Sequence, residues 1–387
     1  MTKDLKNIYF FIYSYLPGIS SGGPVISINK IINTVHNKCH LITLDRDVSN
    51  KKTYPSNKLL KNTSRKKYYY KKPGFDSFIF IVKTISSMES KSIIYMSSFF
   101  NASHTIFPLL IIKIFKFFRY KKDIKIIISP RNEFASEVLL FSNLKKKVFL
   151  LFFKLFLQNE IYYHATTPEE ANDIKSILSI KNKFLYIAQN IDPLITPIKK
   201  LIFINKSENK TKLIFAGRIA KDKNIHLINH ILKDMKESKN ISVDLWGPIR
   251  DKYYFKKILN QSKKYNINLN YKGIFLPENK SIIYQKYHGF LFPALTENYG
   301  HVIADSLSFS IPTIISNNTP WLINGDFKEN GLIAIDNRNL DKYRENIKYL
   351  HELDQESFYK LRIKTHNTYK KLVENSSSIK MTRKIFS

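Results

Sequence analysis

The sequence predicts an α/β protein built from two successive Rossmann-like βαβ domains that face each other across a cleft. Three observations carry that prediction. Short β-rich runs alternate with helix-patterned stretches almost from end to end, the signature of parallel sheets with crossover helices. The rhythm stops once, at a proline-bearing, Lys-rich bridge from Asp192-Pro193 through Pro197 to Lys212, and then restarts. The 387 residues suffice for two domains of ordinary size, each with its own core. The expected domains are residues 1–195 and 212–375, joined by a linker at 196–211. A last helical segment within 376–387 is expected to return to the first domain.

In the first half, strands are expected at Asn7–Tyr13, His40–Leu44, Ser92–Ser97, Ile124–Ser129, Ile161–Ala165 and Phe184–Ala188. Helices are expected at Pro24–His36, Thr105–Phe118, Asn143–Leu157 and Pro168–Leu178. The last carries clear start signals: Thr167 as N-cap, Pro168 at the first helical position, and Glu169-Glu170 in the first turn. In the second half the strands are Lys212–Ala216, Ser242–Trp246, Leu269–Lys272, Phe290–Phe292, Thr313–Ser316 and Gly331–Ile335, and Ser376–Ile385 is the final helix. In open sheets of this kind, ligands bind beyond the carboxyl ends of the strands.

One segment breaks the rhythm. Val48–Phe75 holds nine Lys or Arg and no acid, with Tyr68-Tyr69-Tyr70 among them. It reads as a solvated, mobile loop between two strands. Basic residues mixed with aromatics can also hold nucleic acid, the alternative that a steep salt dependence would mark.

Lys and Arg number 63 against 31 Asp and Glu, a net charge of +32. Such a surface attracts nucleic acid, anionic lipid or phosphorylated substrates. Because Lys, Ile and Asn abound throughout, as under a biased coding composition, charge alone identifies no partner. The single cysteine, Cys39, excludes an internal disulfide and a Cys-rich zinc site, and fits a reducing compartment. No N-terminal signal pattern is expected, since the apolar run from Ile8 is broken by Pro17 and a Gly/Ser stretch. No run reaches the roughly 18 apolar residues of a spanning helix. Phe107–Lys122 and Lys145–Phe156 mix bulky apolar side chains with clustered cations. They read first as core helices with basic ends, and second as interfacial helices resting on anionic lipid.

The chemistry concentrates in the second half. Lys212–Ala216 runs into Gly217-Arg218, and Lys223-Asn224 follows. A strand, a glycine turn, and then an arginine and a lysine at a helix start make a candidate diphosphate site: Arg218 forks onto phosphate oxygens and Lys223 adds a point charge. Further on, Thr296-Glu297-Asn298-Tyr299-Gly300-His301-Val302-Ile303-Ala304-Asp305 places two carboxylates around a glycine turn. Helical rise from the turn onward puts Glu297 and Asp305 up to roughly 12 Å apart. That is about the reach from sugar to ribose in a nucleotide-sugar, with helix N–H groups between them for the diphosphate. By itself Glu297 could equally cap a helix start. Ser21-Gly22-Gly23-Pro24 lets backbone approach a phosphate or sugar. Arg131 and Glu133, closing a strand, are candidates for contacting an acceptor. Of His104, His164, His288 and His301, no pair has metal-ligand spacing on a helix, and only His301 falls near a substrate site.

Taken with Leu245-Trp246-Gly247-Pro248 and Tyr287-His288-Gly289-Phe290-Leu291-Phe292-Pro293, these segments resemble the donor domain of family 4 retaining glycosyltransferases of the GT-B fold. The likeness extends into the first half through Ser97-Ser98-Phe99-Phe100, Pro108-Leu109-Leu110, Ser129-Pro130-Arg131-Asn132-Glu133-Phe134, His164-Ala165-Thr166 and Ala188-Gln189-Asn190, in the expected order. It implies that Glu297 holds donor-sugar hydroxyls, that amides around Asn298, Tyr299, Gly300 and His301 meet sugar and diphosphate, and that Asp305 accepts the ribose hydroxyls. Gly217 belongs to the same donor site, and Gly22 and Gly23 line it from across the cleft. Arg218 and Lys223 would neutralise the leaving diphosphate in the transition state. The resemblance further implies retention of anomeric configuration, no cofactor and no metal for chemistry. Asp45-Arg46-Asp47 therefore reads as a decoy for the metal-binding Asp-x-Asp of the other major transferase fold. The implied partners are a nucleotide-sugar, a lipid-linked saccharide acceptor of surface-polysaccharide assembly and an anionic membrane surface, with no nucleic acid. The implied location is the cytoplasm, against the inner membrane face. The sequence departs from the family at Asp305, where glutamate is usual, so the carboxylate is one methylene short. A donor-binding relative without transfer, or an epimerase, is the alternative within this fold.

Overall fold

The computed structural model describes residues 6–18, 22–47, 53–54, 62–118, 123–134, 144–193, 204–206, 210–374 and 376–387. Ser21, much of the basic segment 48–61, the basic end at 119–122 and most of the expected linker at 196–211 lie outside the described residues. The chain divides into two compact units, one of residues 1–191 with 377–387 and one of residues 192–376.

Unit 1 is a seven-stranded, all-parallel sheet. Its strands are β1 (Asn7–Phe11), β2 (Lys38–Leu44), β3 (Lys66–Lys71), β4 (Ile93–Ser97), β5 (Lys125–Ser129), β6 (Ile161–Ala165) and β7 (Leu185–Ile187), in the spatial order β3-β2-β1-β4-β5-β6-β7. The order reverses between β1 and β4. β1, β4 and β5 are nearly continuous apolar runs, because both faces of a parallel sheet are covered. One face packs the buried Phe11, Met96 and Ile128 under α2 (Phe75–Ser86), α3 (Phe107–Phe117), α4 (Leu144–Phe152) and α5 (Pro168–Leu178). The other face packs Phe10, Tyr95 and Ile127 under α1 (Gly23–Thr34) and α13 (Ser378–Ile385). In α13's tail, the Phe386 ring packs at a tilt against Phe10 and Tyr95, and Lys125 Nζ donates to the Ile385 carbonyl at 2.8 Å.

The Lys/Tyr-rich segment is a correction to the loop expected there. Lys66–Lys71 is β3, paired in parallel with β2. Its tyrosines decide this, because aromatic side chains suit a half-buried pleat. Tyr68 stacks on Tyr15, Tyr69 lies between His40 and Phe80 on the opposite face, and Tyr70 OH donates to the Leu16 carbonyl at 2.6 Å. The interleaved lysines mark an edge strand, where charge discourages further pairing. α2 was also absent from the expected elements. The two Lys-rich apolar segments correct the core reading in part: Leu109, Ile112, Phe153 and Leu157 are buried, while Ile114, Phe117, Leu151, Leu155 and Phe156 are exposed.

Unit 2 is a six-stranded parallel sheet. Its strands are β8 (Thr211–Ala216), β9 (Ile241–Trp246), β10 (Asn268–Gly273), β11 (Gly289–Phe292), β12 (Thr313–Ser316) and β13 (Leu332–Ile335), ordered β10-β9-β8-β11-β12-β13. The order reverses between β8 and β11. Helices α6 (His226–Leu232), α7 (Lys252–Lys264), α8 (Lys280–Tyr284), α9 (His301–Ser308), α10 (Phe327–Asn330), α11 (Leu340–Glu352) and α12 (Gln355–Glu374) complete the unit. Among the described residues, no helix is long and apolar enough to cross a membrane.

Candidate active site

Of the polar residues singled out in unit 2, Arg218, Lys223 and Glu297 meet where its strand order reverses, the place where an open α/β sheet opens a crevice. β8 ends in Gly217, whose φ of 155° begins the turn to Arg218. Gly247, at the end of β9, has a φ of 139°, and a Cβ there would lie 1.9 Å from the Gly217 carbonyl oxygen. Only glycine allows the two strand ends to approach so closely. The Gly247 N–H then donates to the Gly273 carbonyl at 2.8 Å, tying in β10.

Lys223 is carried by a single 3₁₀ turn, Lys221–Lys223, ended by Asn224 in the left-handed region at φ 52°. Its side chain is only 8% exposed and its Nζ lies 2.9 Å from Glu297 Oε2 and 3.1 Å from Asp222 Oδ2. Arg218 is 49% exposed, and its guanidinium reaches the same Asp222 oxygen at 3.2 Å. The loops after β8 and β11 are also tied through the backbone, with Leu295 N–H donating to the Asp222 carbonyl at 2.9 Å. Glu297 therefore does not cap a helix; it is the counter-ion of a nearly buried lysine. Arg218, by contrast, has a partner only on an accessible rim, a pairing worth at most about 1 kcal/mol and easily exchanged for a phosphate oxygen.

Helix α9 starts at Gly300, whose φ of 75° makes the turn, and no side chain caps it. A Cβ on Gly300 would meet Ile303 at 2.7 Å and Glu297 Cγ at 3.2 Å. Tyr299 is an anchor: its OH donates to Asp192 at 2.6 Å, its ring packs edge-on against His301, and its carbonyl accepts from Trp321 Nε1. Burial, then the Asp192 charge, raises the Tyr299 phenol well above its ordinary range. Asn298 and His301 lie partly exposed on either side of it. Asp305 sits on α9, buried, and pairs at 2.5 Å with Lys280 at the start of α8. Lys280 was not foreseen, since nothing in its local sequence distinguishes it. Two ion-paired groups result: Arg218 and Lys223 with Asp222 and Glu297, and Lys280 with Asp305.

In unit 1 the corresponding reversal lies between β1 and β4. Gly22, with φ 66°, precedes α1, Gly23 opens it, and a Cβ on Gly22 would meet only open space. Glu133 accepts from Ser98 Oγ at 2.6 Å and from the Phe99 and Phe100 N–H groups at 2.7 and 2.9 Å. Its carboxylate is occupied in holding the turn after β4. Arg131, at φ 54°, donates to Asn190 and to Tyr95 OH, both at 3.1 Å. His164 Nε2 must donate to the Ala188 carbonyl at 2.9 Å, so Nδ1 accepts from Tyr95 OH at 2.8 Å. Burial, reinforced by Arg131, pushes the His164 imidazole down to about 3.

The other candidates have structural partners. His288 accepts from the Lys212 N–H, donates to the Asn205 carbonyl, and is pushed down to about 4 by burial. His104, buried beside Ser103, is likewise held at about 4. Asp45 pairs with Arg46 at 2.8 Å. His226 and His230, four residues apart and overlooked in the sequence, contact Tyr254 and Gln261. Among the described residues, no group of three potential metal-binding side chains occurs.

Residues 198–372 match the family described as glycosyl transferases group 1. That span contains every member of both ion-paired groups. Against curated protein sequences, nothing matches. Solved structures show the fold of the whole chain. HepE of Anabaena, in complex with UDP and glucose, superposes with a TM-score of 0.66 at 12% identity, covering 98% of both chains. Sucrose-phosphate synthase from Thermosynechococcus elongatus gives 0.67 at 12% identity over 98% of this chain and 97% of that one. WaaG, a glycosyltransferase involved in lipopolysaccharide biosynthesis, gives 0.62 at 13% identity over 98% of both. The fold is GT-B, the two-Rossmann architecture of these glycosyltransferases.

Proposed function

We propose that this chain is a family 4 glycosyltransferase that moves a sugar, with retention and without a metal, from a nucleotide-sugar to a lipid-linked saccharide in bacterial surface-polysaccharide assembly. The acceptor would be met at the inner face of the cytoplasmic membrane. The observation that carries the reading is the convergence of Arg218 and Lys223 from the end of β8 with Glu297 from the end of β11, inside the span that matches group 1 glycosyl transferases. Arg218 and Lys223 can take the diphosphate, exchanging Asp222 for phosphate oxygens, and stabilise the charge that grows as the anomeric bond breaks. Glu297, held in place by Lys223, can orient sugar hydroxyls, and Asp305 can receive the ribose if it gives up Lys280. HepE's complex with UDP and glucose supports this class of donor.

The test is transfer of labelled sugar from UDP-, GDP-, dTDP- and CMP-sugars to a bacterial lipid extract, with the product's anomeric configuration read by NMR. An α-linked product from an α-linked donor, formed equally in EDTA, is expected. An inverted product would overturn retention, and loss of activity in EDTA would overturn metal independence. The Asp305–Lys280 pair favours one second reading, donor binding without transfer; tight binding of a nucleotide-sugar with no product in any extract would support it.

A further inference from the structure

Helix α4 and the turn that follows it are apolar on both sides. The inward side, with Phe153 and Leu157, belongs to the core of unit 1. The outward side carries Val148, Leu151, Phe152, Leu155 and Phe156 at helical spacing, and Leu155 and Phe156 are 65% and 67% exposed. A helix that carries a second, outward apolar stripe normally has it covered by protein or membrane; this stripe is not covered, and the helix is not long enough to span a bilayer. The neighbouring α3 repeats the pattern at its C-terminal end. Ile114, Phe117 and Phe118 are exposed there, Phe117 at 81%, and Lys113 and Lys116 reach across to Asn159 and Glu160 just beyond the α4 turn. The two exposed stripes therefore end side by side. A monomer rarely leaves so many large apolar groups in one region without a use.

Charge selects the occupant. From 144 to 157 and from 107 to 118 there is no acidic residue, while Lys147 and Lys154 lie exposed beside the outward stripe. Glu160, the acid beside the stripes, is paired with Lys116. Apolar side chains in so predominantly cationic a setting suit the boundary of an anionic bilayer, where the stripe sinks among the acyl chains and the ammonium groups stay with the headgroups. A second copy of a chain with net charge +32 would be repelled rather than attracted.

We propose that the outward face of α4, with the end of α3, inserts into the interface of an anionic membrane and anchors the protein peripherally. This deepens the location given above and rests on that reading only for its biological purpose; its test reads binding, not turnover. The full chain is floated with phosphatidylcholine vesicles containing phosphatidylglycerol and with phosphatidylcholine alone, alongside a Leu151→Ser/Leu155→Ser/Phe156→Ser variant and a Lys147→Glu/Lys154→Glu variant. Folding is checked by circular dichroism; the altered side chains are solvent-facing. Wild type is expected to bind the anionic vesicles, with a loss of roughly ten-fold or more in the stripe variant and a loss in the charge variant that high salt reproduces in wild type. Absence of wild-type binding to anionic vesicles would overturn the proposal, as would undiminished binding by the stripe variant. So would a wild-type dimer, dissolved by the stripe substitutions, in place of vesicle binding. A nucleotide-sugar titration on the same samples separates the two claims: a missing donor response counts against the transferase, not the anchor.

Discussion

Arg131 and Arg218 both follow the carboxyl end of a strand in a parallel sheet, yet they live in opposite circumstances. Arg131 is spent: its guanidinium donates to Asn190 and Tyr95, and through Tyr95 it fixes the neutral His164. Arg218 is kept half in solvent, held by one accessible aspartate. The first buys order for the strand ends of unit 1, whereas the second leaves donor capacity available for a ligand. An arginine at a strand end therefore says little until its partners are known. Exposure beside a nearly buried Lys–Glu pair is what separates Arg218, the arginine proposed to bind, from Arg131.

That contrast can be broken most sharply at the reaction. Arg218→Ala should lower sugar transfer by about 10²–10³-fold, roughly 3–4 kcal/mol of transition-state stabilisation, with little change in thermal stability; Arg131→Ala should leave nucleotide-sugar affinity intact. Equal loss of donor binding in both variants would erase the distinction. Gly247→Ala comes next, because its Cβ would collide with the Gly217 carbonyl at a positive φ. A destabilisation of about 2–4 kcal/mol is expected in urea titration, together with weaker donor binding as the Arg218 turn shifts. Arg131→Ala itself should cost about 1–3 kcal/mol of stability by stranding Asn190 and Tyr95, read from the same titrations.

Acid should probe the buried histidines. Burial holds His104 at about 4, His164 at about 3 and His288 at about 4, each below the value near 6.5 of an unfolded imidazole. As pH falls below about 6.5, the unfolded chain takes up protons that the folded chain refuses, so stability declines toward the folded values. Each imidazole should cost roughly 1–2 kcal/mol between pH 7 and 5. His164→Gln, which can keep both hydrogen bonds, should flatten the decline by one group's share. The smallest effect is expected from Lys280→Met, which frees Asp305: a several-fold change in nucleotide affinity by calorimetry, with the sugar contribution unchanged.

The alternation of strands and helices was legible because parallel strands buried on both faces are nearly bare apolar runs, as in Ile93–Ser97 and Gly289–Phe292. β3 was not, since its Lys-Lys-Tyr-Tyr-Tyr-Lys composition reads as solvated until Tyr15, His40 and Phe80 are placed against it. In the candidate site, the sequence singles out residues close to a glycine turn, namely Arg218, Lys223, Glu297 and Asp305. Their counter-ions were missed. Lys280 stands 25 residues before Asp305, and Asp222 differs from any exposed acid only through the fold. Glu133 shows the converse, a carboxylate suited by type to an acceptor but consumed by the backbone of Ser98–Phe100.

The central claim, that the Arg218–Lys223–Glu297 cluster is a nucleotide-sugar site, is tested most directly by thermal shift of the purified protein against UDP-, GDP-, dTDP- and CMP-sugars without metal. Ligands that bind only the folded state raise the midpoint. A shift from one nucleotide class, lost in Arg218→Ala, reduced in Glu297→Ala and kept in Arg131→Ala, is the predicted result. No shift from any nucleotide-sugar, with a shift from heparin or DNA instead, would contradict it.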